Sequence, residues 1–300
     1  MTPATTSDDL LGPLMTDVFA QRLVELGVPH GWIDDVLRHA AALTEPRREH
    51  LQACAAVLDE LAGGTAGMPE YPSGPAAGLD FVVLFAALLP RLRRLEALRR
   101  VDPLITAATV ADLGRHLTVH RGRHGTLGFD EQQWFGLHIT GQIHQLGRLQ
   151  FQRWTAGTAA AKVAAAGGEV APEDVVLSVH IPRFLGPMSP DACDAAIARA
   201  HGFFAQHFPA DRITAAVCWS WLLDPQLGER LPHSNIAAFQ RRFTPMGSPR
   251  VDDRAPLNFG FVRPDLPLDE QPRGTSLERT VLGVLESGGH WHIGAGWFPW

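Results

Sequence analysis

The sequence has few cysteines, a single tyrosine, no long apolar run and no excess of positive charge. Cys54, Cys193 and Cys218 are its three cysteines, widely separated and without a Cys-x-x-Cys pair. That pattern provides neither a disulfide framework nor a zinc site. The longest apolar stretch, Phe81–Leu89, is far too short for a bilayer, which takes about 20 residues. Asp8 and Asp9 stand where a secretory signal would carry positive charge, so no such signal is expected. With 26 basic and 32 acidic residues the net charge is −6, which argues against a nucleic-acid-binding face. There is no internal repeat. The expectation is a cytoplasmic protein without a nucleic-acid or membrane partner.

What remains is globular: 300 residues, 45% hydrophobic and 19% charged, enough material for two domains. The first part is rich in Ala, Leu and Arg with helical periodicity. Met15, Val18, Phe19, Leu23 and Leu26 form one stripe, Trp32, Val36, Leu37 and Ala40 a second, and Leu51, Cys54, Leu58 and Leu61 a third, closed by Gly63 and Gly64. Residues 65–78 read as a Pro/Gly loop. Phe81–Arg99 reads as a long helix with an Arg-rich, solvated end, and Ala108–His120 as a last helix.

Strands begin after about Gly125. Arg148–Trp154 alternates as a half-buried strand, and 155–174 reads as a connector. Further strands are expected at Val175–Ile181, Ile213–Leu223 and near Leu257–Val262, with a short helix from Ser234. Thr275 and Glu278 make a capping box, and the aromatic tail reads as a final strand or hairpin.

The junction Val175–Phe204 is the most informative stretch. A β-branched strand stops at Pro182, and a short loop leads to a helix with Ser189 as N-cap, Pro190 in the first position and Asp191 in the first turn. Cys193, Ile197, Ala200 and Phe204 then recur at helical spacing. Such a junction turns backbone N–H groups and a helix dipole toward one spot, where phosphate binds. Arg183 offers a charged fork and Gly186 a close backbone approach. A plain strand–loop–helix junction reads the same way.

These residues resemble the acyl-CoA-binding turn of the GNAT acyltransferases, in which a strand leads into Arg/Gln-x-x-Gly-x-Gly/Ala. Arg183 and Gly186 match; Pro187 and Met188 replace the end of the motif, and proline has no amide to offer. The family's following Asn-x-x-Ala-x-x-x-Tyr helix is matched by Asn235 and Ala238, with Phe243 in place of the tyrosine. The chain's tyrosine, Tyr71, lies far away in sequence. More broadly, the segments Gly147–Gln152, Leu177–Pro182, Cys218–Leu227, Leu231–Phe243 and Thr275–Val281 resemble a family of bacterial, often actinobacterial, acyltransferase-domain proteins. These join an N-acyltransferase N-terminal helical domain to a GNAT-like C-terminal domain.

The resemblance implies an α+β protein: a helical N-terminal domain over 1–125, then a GNAT-like mixed α/β domain over 126–300. It implies an acyltransferase that uses acyl-CoA as co-substrate and passes the acyl group directly to a small-molecule amine. The same resemblance assigns Arg183, Phe184, Gly186, Met188, Ser189, Asn235 and Phe239 to coenzyme A. Two other readings stay open: a non-catalytic acyl-CoA or acyl-carrier-protein binding module, and a thioester hydrolase or small-molecule lyase on this scaffold.

For chemistry, His180 stands near the end of the strand that by resemblance runs beside the thioester, where imidazole suits the removal of an amine proton. A core histidine reads equally well. Ser220, alternating with Trp219 and Trp221, could donate to the leaving thiolate or hold the acceptor; Cys218 shows no activating base and reads as filler. Among the 14 histidines, His116, His120 and His124 follow helical spacing, but no carboxylate is interleaved and Gly122 and Gly125 are expected to end the helix first. His138 with His144, and His290 with His292, are the other close pairs. No metal site is expected.

Overall fold

The computed structural model describes residues 10–11 and 16–300, so Met15 of the first stripe lies outside the described residues. The chain divides into two compact units, 1–144 and 145–300, and the stretch 126–144 therefore belongs with the helices.

The first unit is all helical: α1 (Asp17–Glu25), α2 (His30–Ala41), α3 (Glu45–Leu61), α4 (Leu79–Leu98), α5 (Pro103–Val110), α6 (Asp112–His124) and α7 (Gln132–Ile139). Phe19, Leu23 and Leu26 of the first stripe are buried, whereas Val18 is exposed. The centre is α4, whose residues from Asp80 to Leu89 are all buried, the signature of a helix surrounded by others. Phe85 packs on Phe135 and Phe129 at 4.9 and 6.1 Å between ring centroids.

Three expectations change here. The Arg-rich end of α4 is not simply solvated: Arg91 pairs with Asp59, Arg93 with Glu25, and Arg99 donates to the Gly63 carbonyl at 2.9 Å. The expected Ala108–His120 helix is two, α5 and α6, separated at Ala111. And α6 runs through Gly122 to His124, because a glycine costs a helix interior only about 1 kcal/mol against alanine. Gly125, at φ +71°, makes the left-handed C-cap that ends it.

The second unit is a mixed α/β sheet. β1 (Ile143–Leu146) spans the division between the units; β2 (Leu149–Thr155), β3 (Val175–His180), β4 (Ile213–Ser220), β5 (Thr244–Pro245), β6 (Arg250–Val251) and β7 (His292–Pro299) follow. From β2 onward the sheet order is β2-β3-β4-β7-β5, with β6 also on β7. β3 and β4 run parallel, joined by the long helix α9 (Pro190–His207). The remaining helices are α8 (Ala159–Ala165), α10 (Pro225–Arg230), α11 (Asn235–Gln240), α12 (Arg254–Gly260) and α13 (Ser276–Glu286).

One sheet face packs Val176, Ala215, Val217 and Trp297 against Ala160 and Val163 of α8. The connector expected over 155–174 therefore holds a helix. On the other face Phe151 meets Phe204 of α9 at 6.4 Å. A third cluster gathers Trp221, Phe261, Val281, Leu282 and Trp291. The strand expected near Leu257–Val262 is instead α12: Asp252 Oδ1 accepts from the Ala255 amide at 3.0 Å and starts a turn of helix. The strand expected to reach Leu223 stops at Ser220, followed by a 3-10 turn over Trp221–Leu223.

Candidate functional site

The site is built where β3 and β4 end. They pair at Val175–Ile213, Leu177–Ala216 and Ser178–Val217, with a register shift in between, and the ladder goes no further. Both strands continue beyond it, each held on its outer side. β3 pairs with β2 up to His180–Gln150, and β4 pairs with β7 up to Ser220–Gly294. Past that point Val179–His180 on one strand and Cys218–Ser220 on the other lie beyond the β3–β4 ladder. An extended ligand with amide groups of its own can add to strands at such a break.

The loop after β3 leads into α9. Ser189 caps that helix, its Oγ accepting from the Ala192 amide at 3.3 Å, with Pro190 in the first position and Asp191 in the first turn. Phe184 and Gly186 have positive φ, +62° and +76°, and both are exposed. Among the described residues, the amides of Phe184, Leu185, Gly186 and Met188 meet no backbone carbonyl. The structure thus brings together a run of N–H groups and the positive end of an 18-residue helix. Met188 is itself buried.

Arg183 donates from Nη2 to the Asn258 carbonyl on α12, which ties the loop to that helix. A second arginine holds the loop from the other side. Arg148 donates from Nε to the Gly186 carbonyl and from Nη1 to the Pro182 carbonyl, both at 3.0 Å. A third, Arg242, donates to the Pro190 carbonyl at 3.0 Å and to Asp194 at 2.7 Å. Burial pushes the Cys193 thiol up, and the charges of Arg242 and Arg148 oppose that shift. Sequence reading missed Arg148 and Arg242, since nothing local marks an arginine that acts on a loop about forty residues away.

His180 is half-buried, with Nε2 3.1 Å from Gln152 Oε1 on β2. An amide oxygen accepts only, so Nε2 carries the proton and Nδ1 is the basic nitrogen. Ser220 accepts at Oγ from the Leu222 amide at 3.1 Å, which uses a lone pair and leaves the hydroxyl hydrogen to be donated. The two side chains do not share a face. Val176, Ser178 and His180 alternate onto the α8 side of the sheet, as do Val217 and Trp219; Ala216, Cys218 and Ser220 alternate onto the α9 side. Trp219 packs edge-on against Trp154 at 5.4 Å on the His180 side.

Asn235 begins α11 and is exposed, whereas Phe239 is buried with its ring 5.0 Å from Phe243. A cavity of about 300 Å³ lies at α10 and α11, lined by Gly228, Pro232, Ala237, Gln240 and Arg241. None of the residues expected to bind coenzyme A lines it. Cys218 is fully enclosed, and burial alone pushes its thiol up to about 12. At that value it is no nucleophile near neutral pH.

Asp224, just past the 3-10 turn, is a buried carboxylate that sequence reading did not single out. It accepts from the His292 amide at 2.7 Å and lies 3.1 Å from His292 Nδ1, so it fastens the start of β7 to the end of β4. His290 instead faces Asp253 at 2.8 Å.

Residues 18–141 match the N-acyltransferase N-terminal domain and residues 143–298 the GNAT-like C-terminal domain. No curated protein matches the chain. Solved structures do. A tryptophan-to-alanine variant of the acyltransferase orf11* in complex with octanoyl-CoA is 31% identical, over 93% of this chain and 86% of that one, with a TM-score of 0.80. An acyltransferase in complex with decanoyl-CoA and teicoplanin is also 31% identical over the same shares, with a TM-score of 0.76. An acyltransferase with decanoyl-CoA is 30% identical, again over 93% and 86%, with a TM-score of 0.79.

Proposed function

The chain belongs to the acyltransferase family that joins an N-acyltransferase N-terminal domain to a GNAT-like C-terminal domain, and on that premise we propose that it transfers an acyl group from acyl-CoA to an amine of a small molecule. The observation that carries this reading is the gap between β3 and β4 directly before the amide-rich loop of α9. A pantetheine arm presents amide groups that can add to strands where their ladder stops, and its pyrophosphate would reach the loop N–H groups and the α9 dipole.

In this reading the thioester lies in the gap. The amine nitrogen bonds to the carbonyl carbon and gives up a proton to His180, and the C–S bond breaks. The leaving coenzyme A thiolate would accept a hydrogen bond from the Ser220 hydroxyl and take its proton from solvent. Gln152 holds the imidazole ring through Nε2, which directs Nδ1 to the proton. No covalent acyl-enzyme is required, in keeping with the enclosed Cys218.

Relatives solved with octanoyl-CoA, decanoyl-CoA and teicoplanin make medium-chain acyl donors and glycopeptide amines the first substrates to try. The test is to incubate the protein with octanoyl- or decanoyl-CoA and a set of amines that includes glycopeptides, and to follow free thiol and product mass. An N-acylated product with stoichiometric coenzyme A supports the proposal. Binding without turnover across the set would make this a binding module, and release of free fatty acid would make it a hydrolase.

A further inference from the structure

Within the helical unit, the end of α6 carries a group of side chains to which the proposed acyltransfer assigns no role. We propose that His120, His124 and Asp130 bind a divalent transition-metal ion, zinc foremost, and thereby clamp the loop after α6 onto the helix. His120 and His124 are one turn apart on the same face, with ring centroids 4.5 Å apart. Gly125 then turns the chain back, and the following loop brings Asp130 against both rings. One donor atom from each of the three residues falls within 4.8 Å of the other two.

The distances fit an ion better than they fit ion pairs. His120 Nε2 is 3.6 Å from Asp130 Oδ1, and His124 Nε2 is 3.5 Å from Asp130 Oδ2. Both are long for a hydrogen bond between nitrogen and carboxylate oxygen. A tetrahedral ion with ligands at about 2.1 Å keeps neighbouring donors about 3.4 Å apart. One carboxylate oxygen stands close to that separation from each imidazole, Oδ1 from His120 and Oδ2 from His124.

The tautomer of His120 is also set for coordination. Its Nδ1 lies 3.1 Å from the Thr126 carbonyl, which can only accept, so Nδ1 carries the hydrogen and Nε2 the lone pair. Metal-binding histidines are commonly oriented by such a second hydrogen bond to a backbone carbonyl. Gly128 makes room for this ring: a Cβ there would stand 2.2 Å from His120 Cε1. His120 is mostly covered, at 15% side-chain exposure, while His124 and Asp130 are about half exposed. The site therefore has an entry path and a fourth position open to water.

Two imidazoles and one carboxylate select borderline ions such as Zn²⁺, Co²⁺ and Ni²⁺ over Mg²⁺ and Ca²⁺, which take oxygen donors. Because the loop between His124 and Asp130 also places Phe129 in the core, an ion here would hold that insertion from outside.

The test uses the full chain with any affinity tag removed. Titration with ZnCl₂ by calorimetry should give one specific equivalent, and CoCl₂ should give the visible absorption of a tetrahedral centre. His124→Ala and Asp130→Asn, both at exposed positions that leave the core intact, should each weaken zinc binding by about tenfold or more. Zinc should raise the melting temperature of the wild type and not of His124→Ala. Equal zinc affinity in wild type and both variants, or equal binding of MgCl₂, would overturn the proposal.

Discussion

Arg148 and Gly186 are joined by a hydrogen bond of 3.0 Å from the guanidinium Nε to the glycine carbonyl, across 38 residues of sequence. With Nη1 on the Pro182 carbonyl, one planar side chain holds both ends of the loop that precedes α9. In the proposed reading, in which this loop receives the coenzyme A pyrophosphate, the arginine fixes the loop and adds charge to it.

Arg148→Ala should weaken coenzyme A binding by roughly 1.5–3 kcal/mol, the scale of a hydrogen bond to a charged group. Arg148→Lys should recover only part of that, because an ammonium cannot reproduce a fork held on two carbonyls. Calorimetry with coenzyme A measures both, with thermal melts as a control for folding. An unchanged dissociation constant in Arg148→Ala would remove the residue from the site.

The far side of the gap rests on close backbone packing. A Cβ at Gly294, which pairs with Ser220, would stand 2.3 Å from the Leu223 carbonyl oxygen. Gly294→Ala should therefore displace the turn after β4 and destabilise the fold by about 1–3 kcal/mol, the usual cost of overpacking. Urea denaturation reads the loss. A variant as stable as wild type would show that the turn yields freely.

The elements most legible in the sequence carry their own end signals. Ser189, Pro190 and Asp191 mark the start of α9, and Thr275 with Glu278 marks α13, where the capping box is formed at 3.1 and 2.8 Å. Two segments misled for opposite reasons. The Ala-rich residues of α8 lack large side chains and look like a connector, yet small residues are what lets that helix lie close on the sheet. Leu257, Phe259 and Phe261 alternate like a strand, but Phe259 is exposed and the segment is helical. At the site, the loop and the two strands were readable because β-branched runs and Pro/Gly punctuation are local. The roles of Arg148, Gln152 and Asp224 were not, since each acts on a residue at least 28 positions away.

Asp112 gives a pH prediction within the helical unit. Burial alone would push its carboxyl up, but hydrogen bonds from His116 at 3.2 Å and His138 at 3.0 Å, with their charges, hold it well below the usual range. A carboxyl lowered on folding stabilises the fold in full above its unfolded value of 3.8 and loses that contribution as pH falls through the folded value. Asp112→Asn should cost about 3–5 kcal/mol near neutral pH, as for breaking a buried pair. The gap from wild type should start to narrow below about pH 4 and close only as pH falls through the folded value. Denaturation at several pH values checks it; a gap independent of pH would assign the loss to packing.

Cys218 lies on β4 near Ser220 in the proposed site and should take no part in the chemistry. With its thiol pushed up to about 12 by burial, almost none is ionised near neutral pH. Iodoacetamide should leave transfer activity intact, and intact-mass spectra during turnover should show no acylated enzyme. An acyl adduct on Cys218 would replace direct transfer with a two-step mechanism.

His180 carries the sharpest chemical prediction. As the base, its replacement in His180→Gln should lower turnover about 10²- to 10⁴-fold, the usual contribution of positioned proton transfer. Coenzyme A affinity should be nearly unchanged, because the imidazole acts on the amine while the phosphates sit at the loop before α9. The acidic limb of the wild-type pH–rate profile should vanish in the variant, since protonation of the ring is what disables the base. Gln152→Leu supplies the complementary test. It removes the group at 3.1 Å from Nε2 without removing the imidazole, so it should lower turnover less than His180→Gln and shift the limb instead of abolishing it. A histidine that merely fills space predicts another pattern: both variants would lower melting temperature, and activity per folded molecule would stay at the wild-type level. Pre-steady-state rates and melts on the same preparations separate the two, and full turnover per folded His180→Gln molecule would take the proton transfer away from this residue.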